Sequence, residues 1–272
     1  QDVCNQLADA RDVEKAKGEI AEALGLDGTF YVNADDARCR RVAEQRCRGK
    51  KVYVGREGDV IVRECRFDED GEMLLTIDPV GTLKLPLSIR AHATNVALAV
   101  AIGLQHGVSE FEPALRDACR NARRFRVSTV GPLTVLDDSY NANPVSMRAS
   151  LDALADRGVP GARIAALGDM LELGPDAEKF HEEIGRYAAT SGVKRLYVRG
   201  SFADATARGA RDGGVPNVEV IDAHEGIADA SASSVATGDC LLVLGSRGMR
   251  MEKVIEHLRA RYAEAPAVNG AH

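Results

Sequence analysis

The chain has 272 residues, 45% of them hydrophobic, enough to bury two cores of ordinary size. Aromatic residues make up only 4% and tryptophan is absent, which leaves little to build a base-stacking platform or a carbohydrate-binding aromatic surface, and the net charge of −6 adds to the expectation of no nucleic-acid partner. No stretch is long and apolar enough to span a bilayer, no signal peptide opens the chain, and the six cysteines form no C-x-x-C pair and do not cluster with the six histidines, so the expectation is a reduced, cytoplasmic protein with small buried cysteines and neither a zinc site nor a disulfide framework.

In chain order, Asp12 to Leu26 places Val13, Ala16, Ile20, Ala21 and Leu24 at helical spacing, with Gly28 as a stop. Thr29 to Val32 reads as a short strand ending in the polar run Asn33-Ala34-Asp35-Asp36. A basic, helix-like segment follows from Arg38 to Lys51, with Glu44 as its one acid; it reads either as a solvated helix face or as a docking surface for a phosphate or a neighbouring segment. Lys51 to Gly55 is the next strand, and the β-α-β order points to parallel pairing. From Val60 to Ile89 three alternating segments separated by turns predict an antiparallel meander at the side of that sheet. Ala93 to Leu104 is a buried, alanine-rich helix, and Phe111 to Ala122 a further helix with Leu115 and Ala118 on one face.

A domain boundary is placed between Arg124 and Gly131, giving domains 1–124 and 125–272. Beyond it strands are expected at Leu133 to Leu136, Ile164 to Leu167, Leu196 to Val198, Val218 to Ile221 and Cys240 to Leu244. Helices are expected at Ser146 to Asp156, Glu178 to Ser191, Ala203 to Gly213, Glu225 to Ala236 and Met251 to Ala263. This alternation predicts a doubly wound parallel sheet. Its strand ends carry Asp137-Asp138-Ser139, Gly168-Asp169, Gly200-Ser201 and Gly245-Ser246-Arg247-Gly248, so Asp138, Asp169, Ser246 and Arg247 are placed to converge on one ligand. Glycines beside a serine and an arginine suit a phosphate or a carboxylate. The plainer reading is that Asp138 caps the helix entered at Pro144 and Gly245 relieves crowding. No G-x-G-x-x-G follows a strand, no G-x-x-x-x-G-K-S/T is present, and no G-x-S-x-G elbow. His181 reads as a surface or packing residue, and the other histidines lack ligand-like spacing.

Three strings, Asp137-Asp138-Ser139-Tyr140-Asn141-Ala142-Asn143-Pro144, Gly168-Asp169-Met170-Leu171-Glu172-Leu173-Gly174 and Gly245-Ser246-Arg247-Gly248-Met249-Arg250-Met251-Glu252, resemble signatures of the Mur ligases. Ala16-Lys17-Gly18-Glu19 and Asn33 to Asp36 resemble the distal half of that family's central ATPase domain. The resemblance implies an α/β chain made of the distal part of that domain, a parallel sheet plus the meander, followed by a Rossmann-like C-terminal domain. It implies a cytoplasmic ligase that uses ATP and Mg to join D-Ala-D-Ala to UDP-MurNAc-tripeptide through an acyl phosphate. Lys17 matches the lysine carbamylated to ligate magnesium, and Arg124 the arginine that reaches an ATP phosphate. Asp138, Asn141 and Asn143 match the nucleotide-facing turn; Asp169, Ser246 and Arg247 match the substrate side.

The chain also departs from the family. Val3 falls where a histidine is usual, Arg123 where a glycine precedes the arginine, and Leu244 where a lysine precedes Gly-Ser-Arg. The chain opens at Gln1 without a start signal, so a preceding N-terminal part or a complementing chain is expected; a monomer is the expected state. Alternatives stay open: a non-catalytic binding module that keeps the fold, or a ligase with another acceptor.

Overall fold

The computed structural model describes residues 10–120 and 125–264, apart from the side chains of residues 10–13, 17 and 264. The chain divides into two compact units, residues 1–121 and 122–272.

In the first unit α1 (Ala10–Ala23) ends ahead of Gly25, earlier than the spacing implied, and leads to β1 (Thr29–Asn33). The basic run is helical only over α2 (Ala37–Arg46); Lys50 and Lys51 already belong to β2 (Lys50–Gly55). Asp36 starts α2, its carboxylate accepting the Arg38 N–H at 2.7 Å. β1 and β2 pair in parallel, β2 and β3 (Val60–Phe67) also in parallel, and β4 (Met73–Asp78) and β5 (Gly81–Leu85) complete the antiparallel meander. The order β1-β2-β3-β4-β5 gives one five-stranded sheet. Met73, Leu75 and Ile77 alternate with half-exposed residues along β4, and the buried set packs on Ala93, Val96, Ala97 and Val100 of α3 (His92–Gln105). In α4 (Glu112–Arg120), Glu112 accepts the Lys84 N–H of β5 at 2.9 Å, Arg116 pairs with Glu72 through both guanidinium nitrogens at 3.1 Å, and Leu115 lies against the core.

The second unit holds a six-stranded sheet, β10-β9-β8-β11-β7-β6. Five strands are parallel: β7 (Leu133–Asp138), β8 (Arg163–Leu167), β9 (Val193–Val198), β10 (Asn217–Val220) and β11 (Cys240–Leu244). The sheet is not wholly parallel as expected, because β6 (Arg126–Val130), in the segment read as a boundary, forms an antiparallel hairpin with β7. Gly131 makes the turn at φ +57, against the ring of Tyr262. All five residues of β11 are buried, as befits a strand covered on both faces. On one face α5 (Pro144–Asp156), α6 (Ala177–Thr190) and α7 (Ala203–Gly213) pack side by side; α8 (His224–Ser233) packs on α9 (Glu252–Glu264), which also covers β6, β7 and β11. The chain leaves β7 for β8, runs outward to β10, and returns to insert β11 between β7 and β8. The carboxyl ends beside β11 are therefore a topological switch point, where such sheets open a crevice.

Candidate functional site

In register, Leu244 of β11 lies beside Asp138 of β7 and Leu167 of β8, so the three loops that follow leave the sheet at one level. Ser246 binds them together. Its N–H donates to the Asp169 carbonyl at 3.0 Å; its hydroxyl accepts the Leu171 N–H at 2.9 Å and donates to the Ala142 carbonyl at 3.3 Å. At 4% exposure this hydroxyl is an internal brace.

Asp169 is also buried, at 3% exposure. Its carboxylate accepts the N–H groups of Ser201 at 2.7 Å and Phe202 at 3.2 Å, which start α7. Gly200, at φ +118, lies so close that a Cβ there would overlap that carboxylate. His181 supports the same loop, accepting the Met170 N–H at Nε2 (2.9 Å) and donating from Nδ1 to the Ala177 carbonyl (2.7 Å), with its ring stacked on Phe202. That pairing defines the neutral Nδ1–H tautomer, so the 3.8 Å approach of Nε2 to Asp169 is proximity and not an ion pair. His181 is thus a packing residue, buried and not at the surface.

The β7 turn likewise differs from expectation. Asp138 does not cap α5: its Oδ2 accepts the Ser150 hydroxyl at 2.5 Å. The cap is Asn143, whose Oδ1 accepts the N–H groups of Val145 and Ser146 while the Ser146 hydroxyl accepts the Asn143 N–H, a reciprocal capping box ahead of Pro144. Tyr140 and Asn141 stand exposed between them. Arg247 opens a short 3-10 turn, Arg247–Met249, and is exposed, with one nitrogen 3.1 Å from Glu252 Oε1. The expected convergence is therefore divided. Asp169 and Ser246 join the loops from within, whereas Arg247, Asn141 and Tyr140 face solvent at their rim.

Two residues that the sequence did not single out also shape this rim. Arg199, just past β9, donates from its guanidinium to the Met249 carbonyl at 2.9 Å and from Nε to the Asp222 carbonyl at 2.9 Å. His224 Nε2 lies 2.8 Å from both that guanidinium and the Met249 carbonyl. Burial pushes the His224 imidazole below its ordinary value; the Met249 carbonyl opposes the shift, and the positive fields of Arg199, Lys253 and His257 add to it. Nothing in the residue types separated by 25 positions announces this cluster.

In the first unit a cleft of about 350 Å³ is lined by Glu14, Gly18, Asn33, Asp36 and Arg38, among others. Lys17 lies on α1 beside Gly18, with its side chain outside the described residues; Arg124, Arg123 and Val3 lie outside them altogether. The basic helix is largely paired within the unit: Arg41 with Glu14 at 2.8 Å, Arg46 with the Lys15 carbonyl at 2.8 Å and Glu22 at 3.3 Å, and Arg40 with the Ala34 carbonyl. That favours the helix-face reading. Among the described residues no three His, Cys, Asp or Glu side chains come close enough to share a metal ion, and no helix is long and apolar enough to cross a membrane.

A parallel sheet with a serine-braced, arginine-rimmed switch point is the frame of a ligand-binding α/β domain, and residues 123–247 match the family described as Mur ligase, glutamate ligase domain. Residues 123–247 thus carry a Mur ligase domain. It is 34% identical over 258 residues to the UDP-N-acetylmuramoyl-tripeptide–D-alanyl-D-alanine ligase of Mycobacterium tuberculosis, covering 89% of this chain and 50% of the relative. The ligase of the same name from Bacillus subtilis is 25% identical over 261 residues, 93% of this chain and 56% of the relative. The chain thus spans about half the length of the curated relatives it matches. The fold is also that of the MurF ligase from Thermotoga maritima, solved in complex with ADP, at a TM-score of 0.82 and 23% identity over 96% of this chain and 60% of that one.

Proposed function

We propose that this chain is the dipeptide-receiving part of an ATP-dependent ligase that joins D-Ala-D-Ala to UDP-MurNAc-tripeptide. The observation that carries the reading is the Ser246 brace, which holds the Arg247 turn at the switch point beside the β7 turn. An exposed guanidinium on a braced turn suits the carboxylate of a small peptide, which it can take bidentately. The exposed Tyr140 ring and Asn141 amide offer a face and hydrogen-bonding groups to a nucleotide, with the Asn143 amide nitrogen beside them and Asp138 holding the turn to α5 through Ser150. Asp169 then acts through the loops it fastens and not by touching substrate.

In this reaction the tripeptide carboxylate takes the terminal phosphoryl group of ATP, ADP leaves, and the dipeptide amine displaces phosphate from the acyl phosphate to form the amide. The resemblance gives Lys17, as a carbamate, to magnesium and Arg124 to an ATP phosphate. Among the described residues no three His, Cys, Asp or Glu side chains gather as a metal cage of their own, and magnesium ordinarily needs only one or two protein carboxylates beside phosphates and water. Phosphoryl transfer depends on a phosphate-cradling loop and its lysine, and these 272 residues contain no such motif. Incubated alone with ATP, magnesium and both substrates, the chain is expected to release no ADP, while calorimetric titration with D-Ala-D-Ala is expected to show saturable binding that is lost in Arg247→Ala. Absence of dipeptide binding would overturn the reading in favour of a binding module of another kind. That second reading draws on Leu244, which fills with a buried leucine, 1% exposed, the place where the family usually has lysine.

A further inference from the structure

Arg199 and His224 lie outside the three signature strings, yet through the Met249 carbonyl they grip the far end of the turn that begins at Arg247. We propose that Arg199 and His224 form a proton-sensitive latch on this turn, so that protonation of His224 weakens the capture of a dipeptide carboxylate by Arg247. The effect on the dipeptide rests on the function proposed above; the latch itself does not.

The three groups make a closed triangle: Arg199 to Met249 O at 2.9 Å, His224 Nε2 to Met249 O at 2.8 Å, and Arg199 to His224 Nε2 at 2.8 Å. A guanidinium only donates, whereas a neutral imidazole can place either an acceptor or a donor at Nε2. The neutral ring therefore fits in either tautomer, accepting from Arg199 or donating to the carbonyl. The imidazolium fits in neither way without setting a second cation against Arg199. The groups of the packed elements reinforce this: Lys253 and His257 reach the ring from α9 with positive fields, Arg199 reaches it from the end of β9, and Asp222 contributes its backbone carbonyl, which is bonded to Arg199 Nε. Proton uptake therefore pushes the ring and the guanidinium apart, and because the Met249 carbonyl favours the charged ring, the bond it stands to lose is the one from Arg199.

The turn is sensitive to that loss. It is a single 3-10 turn, closed at Arg250 in the left-handed region at φ +50, a conformation that a non-glycine residue keeps only when its surroundings impose it. Gly248 lies against Leu171, where a Cβ would come within 2.9 Å of the leucine methyl, so any shift of the turn is felt at its centre. Arg247 precedes Met249 by two residues and moves with it.

The test uses the full chain, isotopically labelled, with no ligand at first. As pH falls from about 8 to about 5, across the range where histidines titrate, the Gly248 amide is expected to shift with the same midpoint as the His224 ring, and this linked shift is expected to vanish in His224→Gln. Titration with D-Ala-D-Ala at the two ends of the range is expected to show affinity falling by about fivefold at the acid end in the natural sequence and by less than twofold in His224→Gln. A Gly248 amide that ignores the His224 titration overturns the latch; so does an acid-linked loss of affinity that survives in His224→Gln. If the dipeptide binds at no pH, the functional reading fails, while the ligand-free titration of the natural sequence still decides the latch and needs no variant to fold.

Discussion

Cys240 starts β11 with no exposed surface, and burial pushes its thiol from the ordinary 9.0 up to about 11. The fold therefore favours the protonated thiol over the thiolate. Because the folded value is the raised one, this stabilisation is fully present below about pH 9 and is lost as pH rises through about 11, at a cost of about 3 kcal/mol. Cys240→Ala is expected to flatten that part of the pH dependence, and urea unfolding from pH 8 to 11 checks it. The expectation of small buried cysteines holds for Cys47 and Cys240, while Cys39, Cys65 and Cys119 are only half-buried. At this scale the sequence was a partial guide. Spacing showed that Asp138, Asp169, Ser246 and Arg247 share one sheet edge, because strand ends in a parallel sheet must. It could not show which oxygen meets which N–H, and so it did not separate the internal fasteners Asp169 and Ser246 from the exposed Arg247. Nor could it tell that Asn143 and not Asp138 caps α5, since both are good capping residues and only φ and ψ at the turn choose between them.

Helices α6 and α7 come together through two glycines. A Cβ on Gly185 would strike the Thr206 carbonyl, and one on Gly209 would strike the Glu182 carbonyl. Backbone meets backbone at both points, so neither can yield as a side chain would. Gly209→Ala is expected to destabilise the second unit by about 3 kcal/mol or more, well beyond the helix-propensity gain of an alanine. Gly158→Ala, which meets nothing within 4 Å, should leave stability nearly unchanged. Thermal melts of the two variants side by side give the comparison, and equal melting temperatures would refute the close-packing argument. Element identity was largely legible: α7 spans the predicted Ala203–Gly213, and β11 the predicted Cys240–Leu244. The element that escaped, β6, carries Arg-Val-Ser-Thr-Val with Val127 exposed and only Val130 buried, the sparse pattern of an edge strand that has one partner. A short, mostly polar strand beside Gly131-Pro132 reads as a linker until pairing with β7 is known.

At the scale of the whole chain, each unit has a buried cluster of its own among the described residues. Leu75, Ile77 and Leu85 lie with Val96 and Val100 in one core; Leu133, Ile164, Leu241 and Val243 lie with Val254 and Leu258 in the other. The sequence reading places a boundary between Arg124 and Gly131, where the short basic run from Arg123 to Arg126 ends and regular β-α alternation begins. Separate cores predict separate responses. Leu75→Ala and Leu241→Ala each remove a fully buried side chain and should cost about 2–5 kcal/mol. Only the second lies in β11, the strand that carries Ser246 and the Arg247 turn. Leu241→Ala should therefore move the Gly248 amide resonance, whereas Leu75→Ala should leave it in place while lowering the stability of its own unit. Denaturant unfolding followed residue by residue through amide resonances resolves the two cases. A Gly248 amide displaced equally by both substitutions would mean that the cores act as one, and that the braced switch point depends on packing throughout the chain and not only on the sheet from which it rises.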